Sequence, residues 1–122
     1  MGAADQVSGL LLCRAGPHRV AFPAGQVQSI ESSIPGSPFP HAREAFDLAR
    51  EPGRVLLTEG GDAVTVDSLE VHPDEVTLLP APLMLGAGAG GSLRGFVAVR
   101  DELWPLHNLI GFAHYLVRRE KG

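Results

Sequence analysis

The sequence predicts a mostly β fold made of two related small barrels, and three observations lead to that prediction. The apolar runs are short, rich in Val and Leu, and separated by Gly, Pro and Asp. A hairpin-like pattern occurs twice, over residues 10–30 and again over residues 55–71. One such unit cannot cover its own apolar face, whereas two copies can pack against each other. Composition agrees with a globular domain, since apolar residues make up 44% of the chain and charged residues 20%.

The first copy starts with a predicted strand over residues 10–13, which turns at residues 15–17 into a second apolar stretch over residues 20–30. After it we expect a short helix over about residues 41–50. Three Ala and one Phe stand there at helical spacing, and a Pro-Gly pair ends the segment.

The second copy leads from a strand over residues 55–57, through a Gly-Gly-Asp turn at residues 60–62, into apolar residues as far as Val71. A further hairpin follows, with strands over residues 93–99 and 103–106. No counterpart of this hairpin follows the first copy. The first barrel is therefore predicted to lack two strands.

The chain is predicted to end in a helix over about residues 106–119 with a broad apolar face. Gly111 lowers the intrinsic stability of this helix by up to about 1 kcal/mol relative to Ala. Packing against the barrels must therefore hold the helix in place. The predicted face consists of Leu109, Ile110, Phe112, Ala113, Leu116 and Val117.

At 122 residues the chain is long enough for one compact unit with its own core. It has no apolar run as long as a membrane span, and its N-terminal residues lack the basic segment of a signal peptide. We therefore expect a cytoplasmic protein. The single cysteine, Cys13, agrees with a reducing compartment and is expected as a small buried residue.

A net charge of −4 argues against generic nucleic-acid binding, which needs clustered Lys and Arg to neutralise phosphates. The basic residues Arg118, Arg119 and Lys121 form the only such cluster, and they suit the C-terminal end of a helix. A small nucleic-acid binder is therefore the least favoured function.

A glycine-rich segment over residues 85–92 supplies the alternative function, a small ligand- or nucleotide-binding module that uses the loop from Gly86 to Ser92. Gly86, Gly88 and Gly91 satisfy the spacing GxGxxG. That turn binds a dinucleotide only when a helix follows it, whereas the next residues alternate as a strand. The segment is therefore predicted to be a flexible connector.

No residue pattern supports catalysis or metal binding. The five His are scattered over separate predicted turns and the last helix, without a Cys or carboxylate to complete a ligand set. Ser29, Ser32, Ser33 and Asp67 lack the turn that presents a nucleophile. The protein is therefore predicted not to be an enzyme and to bind no cofactor or metal.

Several strand residues could face either a barrel core or a partner, because alternation defines two faces without showing which one meets water. Trp104 has the same ambiguity, since a Trp also anchors many interfaces. The strand residues concerned are Val27, Ile30, Val55, Val66, Leu69 and Val71.

Three stretches together resemble the CheW-like domain, an adaptor of bacterial chemosensory arrays. LLLCRAGPHRVAFPAGQVQSI is similar to its opening, and GRVLLTEGGDAVTVDSLEVHPDEVTLLPAP to its second subdomain, with Asp67 at the family's aspartate. LRGFVAVRDELWPLHNLIGF is similar to its closing hairpin and helix start, with Asn108 where the family has Asp or Asn. The order and spacing of the stretches, over residues 8–117, carry the resemblance.

The resemblance implies two SH3-like barrels and a helix, without catalysis. It divides the domain into a truncated first subdomain (8–52), a second subdomain (53–105) and a C-terminal helix (106–119). The family's first subdomain contains two strands and an arginine that contacts the receptor. This chain lacks that segment, of which only Phe46-Asp47-Leu48 survive.

The resemblance also implies partners and a site. Val27 and Ile30 match the strand that faces the receptor, Ser29 replaces an acidic residue between them, and Val55 and Val71 lie near the matching strand edges of the second subdomain. The expected partner is the cytoplasmic domain of a methyl-accepting chemoreceptor. Binding to a CheA-type histidine kinase is expected to be weak or absent. A homodimer that shares strands is a further expectation, and the narrower likeness is to the shortened CheW-like protein of the frizzy gliding-motility system.

Overall fold

The computed structural model describes residues 5–80 and 92–121, and the predicted mostly β fold is confirmed there. A 3₁₀ turn over Ala24–Gln26 and another over Ala42–Phe46 interrupt the strands. The main elements are β1 (Asp5–Val7), β2 (Leu10–Ala15), β3 (His18–Pro23), β4 (Ser29–Ser32), β5 (Arg54–Leu57), β6 (Ala63–Val66), β7 (Ser68–His72), β8 (Val76–Pro80), β9 (Leu93–Val99), β10 (Glu102–His107) and the helix α1 (Leu109–Lys121).

The strands form two sheets. The larger has the order β1-β8-β9-β10-β3-β2-β7, and the smaller has the order β4-β5-β6. Neighbours are antiparallel except for β10 and β3, which run parallel and pair Leu106 with Ala21. Strands from both predicted subdomains thus lie in one sheet, and the division of the chain near residue 53 stays a prediction.

Strands β2 and β3 are buried on both faces because each face covers a different core. On β2, Leu11 and Cys13 pack into a first core, whereas Leu10 and Leu12 pack into a second. This alternation explains why β2 is apolar at four successive positions instead of every second one. Each core contains residues from both predicted subdomains.

The first core lies between β2 and β3, the smaller sheet and α1. The helix contributes Leu109, Phe112, Ala113 and Leu116, which fall on one face at helical spacing. The broader face predicted from the sequence is wrong at its margins, since Ile110 and Val117 are exposed. The second core centres on Trp104, which resolves the ambiguity of that residue in favour of packing.

The closing hairpin is present as predicted, with β9 and β10 paired along most of their length. The helix begins later than predicted, because β10 continues to His107, which pairs with Leu93. Asn108 then caps α1, its Oδ1 accepting a hydrogen bond from N of Gly111 at 2.9 Å.

The segment between β4 and β5 contains no strand, in agreement with the predicted loss of two strands from the first barrel. The helix expected there is a five-residue 3₁₀ turn. His41 caps its start, its Nδ1 accepting from N of Arg43, and Asp47 ends it in the left-handed conformation (φ 60°). A residue in that conformation stops a helix, so the turn cannot extend to residue 50.

Within the part of the chain that the structure describes, no helix is both long and apolar enough to cross a membrane.

Candidate partner-binding groove

Four of the five residues predicted to contact a partner lie together. Val27, Ser29, Ile30 and Val71 line a shallow groove of about 320 Å³, which we call the β4 groove. Leu11, Ala24 and Gln28 complete its lining. None of these residues carries a charge, so the groove offers apolar contact and hydrogen-bonding groups.

The floor of the groove comes from two neighbouring strands. Leu11 of β2 and Val71 of β7 stand directly opposite each other in the antiparallel ladder and therefore on the same face of the sheet. Leu11 is buried in the first core, whereas Val71 is 57% exposed. An exposed β-branched side chain beside a buried one gives the groove an apolar surface that a partner can cover.

One wall of the groove is the 3₁₀ turn over Ala24–Gln26, which is held at both ends. N of Ala24 donates to O of Gly9 at 2.7 Å, and N of Val27 donates to O of Ala24 at 3.0 Å. The side-chain oxygen of Gln26 accepts from N of Leu109 at 2.7 Å, which fixes the turn to the start of α1. The wall is therefore preformed.

The fifth predicted residue, Val55, lies elsewhere. It belongs to the central strand of the smaller sheet, between Glu31 and Thr65, and its side chain is only 2% exposed. Val55 does not line the groove. The sequence did not predict three groove residues, Leu11, Ala24 and Gln28. Their positions beside Val71 and Ile30 depend on the register of β2 with β7 and on the path of the chain after β3.

The carboxylate of Asp67, at the junction of β6 and β7, binds other residues of the chain and does not form an open site. It accepts hydrogen bonds from N of Gly16 at 2.6 Å and from Nε of Arg43 at 2.9 and 3.0 Å. Burial raises the pKa of this carboxyl group, but the bonds from Arg43 and Gly16 outweigh burial, and the net pKa is lowered. Asp67 thereby ties the β2–β3 turn to the 3₁₀ turn that follows β4.

His41 lies beside this carboxylate, with its Nε2 3.4 Å from Oδ1 of Asp67. Burial lowers the pKa of His41, although the negative charge of Asp67 opposes the shift. With its Nδ1 accepting from the backbone, a neutral His41 carries its proton on Nε2. The cluster of His41, Arg43 and Asp67 holds loops together and presents no nucleophile.

Of the glycine-rich segment, residues 85–91 lie outside the described residues, and the predicted flexible connector falls on them. Ser92, its last member, is buried and forms a hydrogen bond with Nδ1 of His107 at 2.8 Å. The carbonyl of Ser92 accepts from N of Asn108 at 2.8 Å. Its polar groups are therefore engaged at the start of α1.

Cys13 is buried as predicted, and burial raises the pKa of its thiol to about 12. The thiol therefore stays protonated at neutral pH and behaves as a small core residue.

No protein-family model matches the sequence, and no curated protein matches it. Among solved structures, the chain is similar to the scaffolding protein TtCheW from Thermoanaerobacter tengcongensis. The TM-score is 0.60 with 14% sequence identity, and the likeness covers 84% of this chain and 89% of that chain. Together with the two cores and the closing hairpin and helix, this likeness shows that the chain has the CheW-like fold.

Proposed function

We propose that this protein is a non-catalytic, cytoplasmic adaptor of a bacterial chemosensory pathway and that it binds the cytoplasmic domain of a chemoreceptor through the β4 groove. The observation that carries the proposal is the placement of Val27, Ser29, Ile30 and Val71 in one uncharged groove on a CheW-like fold. The first three are the residues that the family resemblance assigns to the receptor-facing strand.

Such a groove suits an apolar stripe on a receptor helix, since chemoreceptor tips are helical in the family that the chain resembles. Stable interfaces bury about 1,200 Å² or more in total, and a shallow groove offers less. We therefore expect modest affinity for an isolated receptor fragment. In an array, the effective concentration of linked neighbours compensates for a weak pairwise contact.

Kinase binding is proposed to be weak or absent. The segment between β4 and β5 closes directly on itself: N of Ser33 donates to O of Gly53, and N of Gly53 donates to Oγ of Ser33. Between these two residues the chain forms a 3₁₀ turn over Ala42–Phe46 and no strand, so the two strands that the family carries there are missing. The combination of a receptor groove with a shortened first barrel supports the narrower likeness to the adaptor of the frizzy gliding-motility system.

The receptor proposal is tested with Val71→Asp. Val71 is 57% exposed, so the charge leaves the core intact, but it places an unpaired carboxylate against an apolar partner. We expect the affinity for a receptor cytoplasmic fragment, measured by isothermal titration calorimetry, to fall at least about tenfold, or about 1.4 kcal/mol.

The matched control is Leu103→Asp, because Leu103 is a similarly exposed apolar strand residue (51%) that does not line the groove. The affinity of the Leu103→Asp variant for the receptor fragment should stay near that of the unmodified protein. Equal losses in the two variants, or no binding by the unmodified chain to any receptor fragment, would contradict the proposal.

A further inference from the structure

The β4 groove lies along one edge of β4 and not over one face of the smaller sheet. Successive residues of an extended strand point to opposite faces of a sheet. Ser29 and Ile30 are successive residues of β4, yet both line the groove. The other edge of β4 is covered by β5. The groove therefore borders the edge that β5 leaves open.

Backbone groups at this open edge lack partners. The hydrogen bond from N of Ser33 to O of Gly53 fixes the alternation of the ladder, so that Ser29, Glu31 and Ser33 bond toward β5. Ile30 and Ser32 stand at the intervening positions, where N–H and C=O groups point away from β5. Over residues 5–80 and 92–121, no hydrogen bond uses these four groups.

The open edge of β4 suits an extended strand, which satisfies the backbone groups and places side chains into the neighbouring groove. A helix can cover the groove with its side chains but cannot satisfy these groups, because its own backbone is internally bonded. The missing hairpin of the first barrel explains why the chain itself supplies no such strand.

We propose that this strand is β4 of a second copy, paired antiparallel about a twofold axis at Ile30. In this register the two Ile30 residues exchange backbone hydrogen bonds, and Ser29 of each copy stands opposite Glu31 of the other. If the twofold axis lay at Glu31 instead, the two Glu31 side chains would stand opposite each other, and like-charge repulsion disfavours that register. The twofold pairing covers both open edges at once, so the assembly closes as a dimer.

The dimer has a consequence for binding. Each copy of β4 occupies the edge that borders the other copy's groove, so self-pairing and receptor binding exclude each other. A four-residue strand buries less than the roughly 1,200 Å² of stable interfaces, and we therefore expect a weak dimer. Its formation in the isolated chain does not depend on the proposed receptor contact, and its failure would leave that contact untouched.

Sedimentation equilibrium over a range of concentrations up to about 1 mM tests the pairing. We expect a reversible monomer–dimer equilibrium that Ser32→Pro weakens at least about tenfold. Proline removes a donor from the open edge and adds bulk there, without removing a hydrogen bond to β5. Ser32→Ala loses the same hydroxyl but keeps the donor and should dimerise normally. A monomer at every concentration, or a dimer that Ser32→Pro leaves unchanged, would overturn the proposal.

Cysteine cross-linking tests the register and decides alone if Ser32→Pro does not fold. A mixture of Ser29→Cys and Glu31→Cys should yield the mixed disulfide under mild oxidation. These residues face each other at a non-hydrogen-bonded position, where Cα atoms lie about 4.5 Å apart. Cys13 is buried and does not compete. No mixed disulfide from the mixture would refute the assigned pairing.

Discussion

At the scale of single residues, His107 is the titratable group whose ionisation is tied most directly to the fold. Its ring is buried between β10 and α1, where it forms the hydrogen bond with Ser92 and stands edge-on to Phe112 with ring centroids 4.9 Å apart. Burial lowers the pKa of His107 to about 4. The folded protein therefore holds this ring neutral at pH 7.

The free energy of unfolding should fall as the pH drops from about 6.5 to about 4. His107 titrates near pH 6.5 in the unfolded chain and near 4 in the folded one. Between these values the unfolded state binds more protons, so stability rises with pH across the window. The full change amounts to at most about 3 kcal/mol. Urea unfolding at several pH values measures it.

The same titration on His107→Gln isolates the contribution of this ring. Gln can keep a hydrogen bond to Ser92 but does not titrate, so the pH dependence should become shallower. Some dependence should remain, because burial also lowers the pKa of His41. An unchanged slope in His107→Gln would assign the dependence to another group.

Single residues also show where sequence reasoning stops. Val55 and Val71 both lie on predicted strands, and the sequence does not show which of the two faces a partner. The structure buries one in the centre of the smaller sheet and exposes the other beside the groove. The difference arises from sheet order and register, which depend on pairing with distant strands and not on local pattern.

At the scale of secondary-structure elements, the β9–β10 turn departs from the usual chemistry of a two-residue hairpin. Val99 pairs with Glu102, and the two residues between them, Arg100 and Asp101, both have positive φ (50° and 64°). A turn of this type favours Asn-Gly or Asp-Gly, because other residues meet steric cost in the left-handed region. Arg100 offsets part of that cost through a paired contact with Glu70 at 2.8 and 3.0 Å.

Asp101→Gly should therefore stabilise the protein by about 0.5 to 1 kcal/mol, because Gly adopts positive φ without steric cost. Thermal and urea unfolding measure the change. Asp74→Gly, in the turn before β8, provides the matched control. Asp74 does not have positive φ, so Gly there adds only unfolded-state entropy and should lower stability. A loss of stability in both variants would contradict the argument.

The hairpins were predicted more accurately than the bounds of the helices. The hairpin over residues 10–23 follows from its turn residues, and the hairpin over residues 93–107 follows from alternation. The segment after β4 was expected as a helix, but Asp47 in the left-handed conformation limits it to a short turn. The start of α1 was placed too early because pairing with β9 keeps residues 106 and 107 in β10.

At the scale of the whole molecule, β2 and β3 hold the two cores together. Their opposite faces supply side chains to both cores, so neither core is complete without them. Asp67 adds a second connection where β6 passes into β7, since N of Asp67 donates to O of Arg14 at 2.8 Å. The segment after β4 belongs to this second connection, because Arg43 binds the carboxylate of Asp67 and Ala42 is buried in the first core.

The missing strands lead to a gain-of-function prediction. Inserting the two-strand segment of a full-length CheW-like paralogue between Gly36 and Ser37, which keeps Ala42 in the first core and Arg43 on Asp67, should raise kinase binding in a pull-down, because it restores the strands that the first barrel lacks. A flexible Gly/Ser insertion of equal length controls for size and should not raise it. Kinase binding by the unmodified chain as strong as that of the paralogue would refute the proposed loss. A graft that folds and keeps receptor binding without gaining kinase binding would show that these strands are not sufficient for docking.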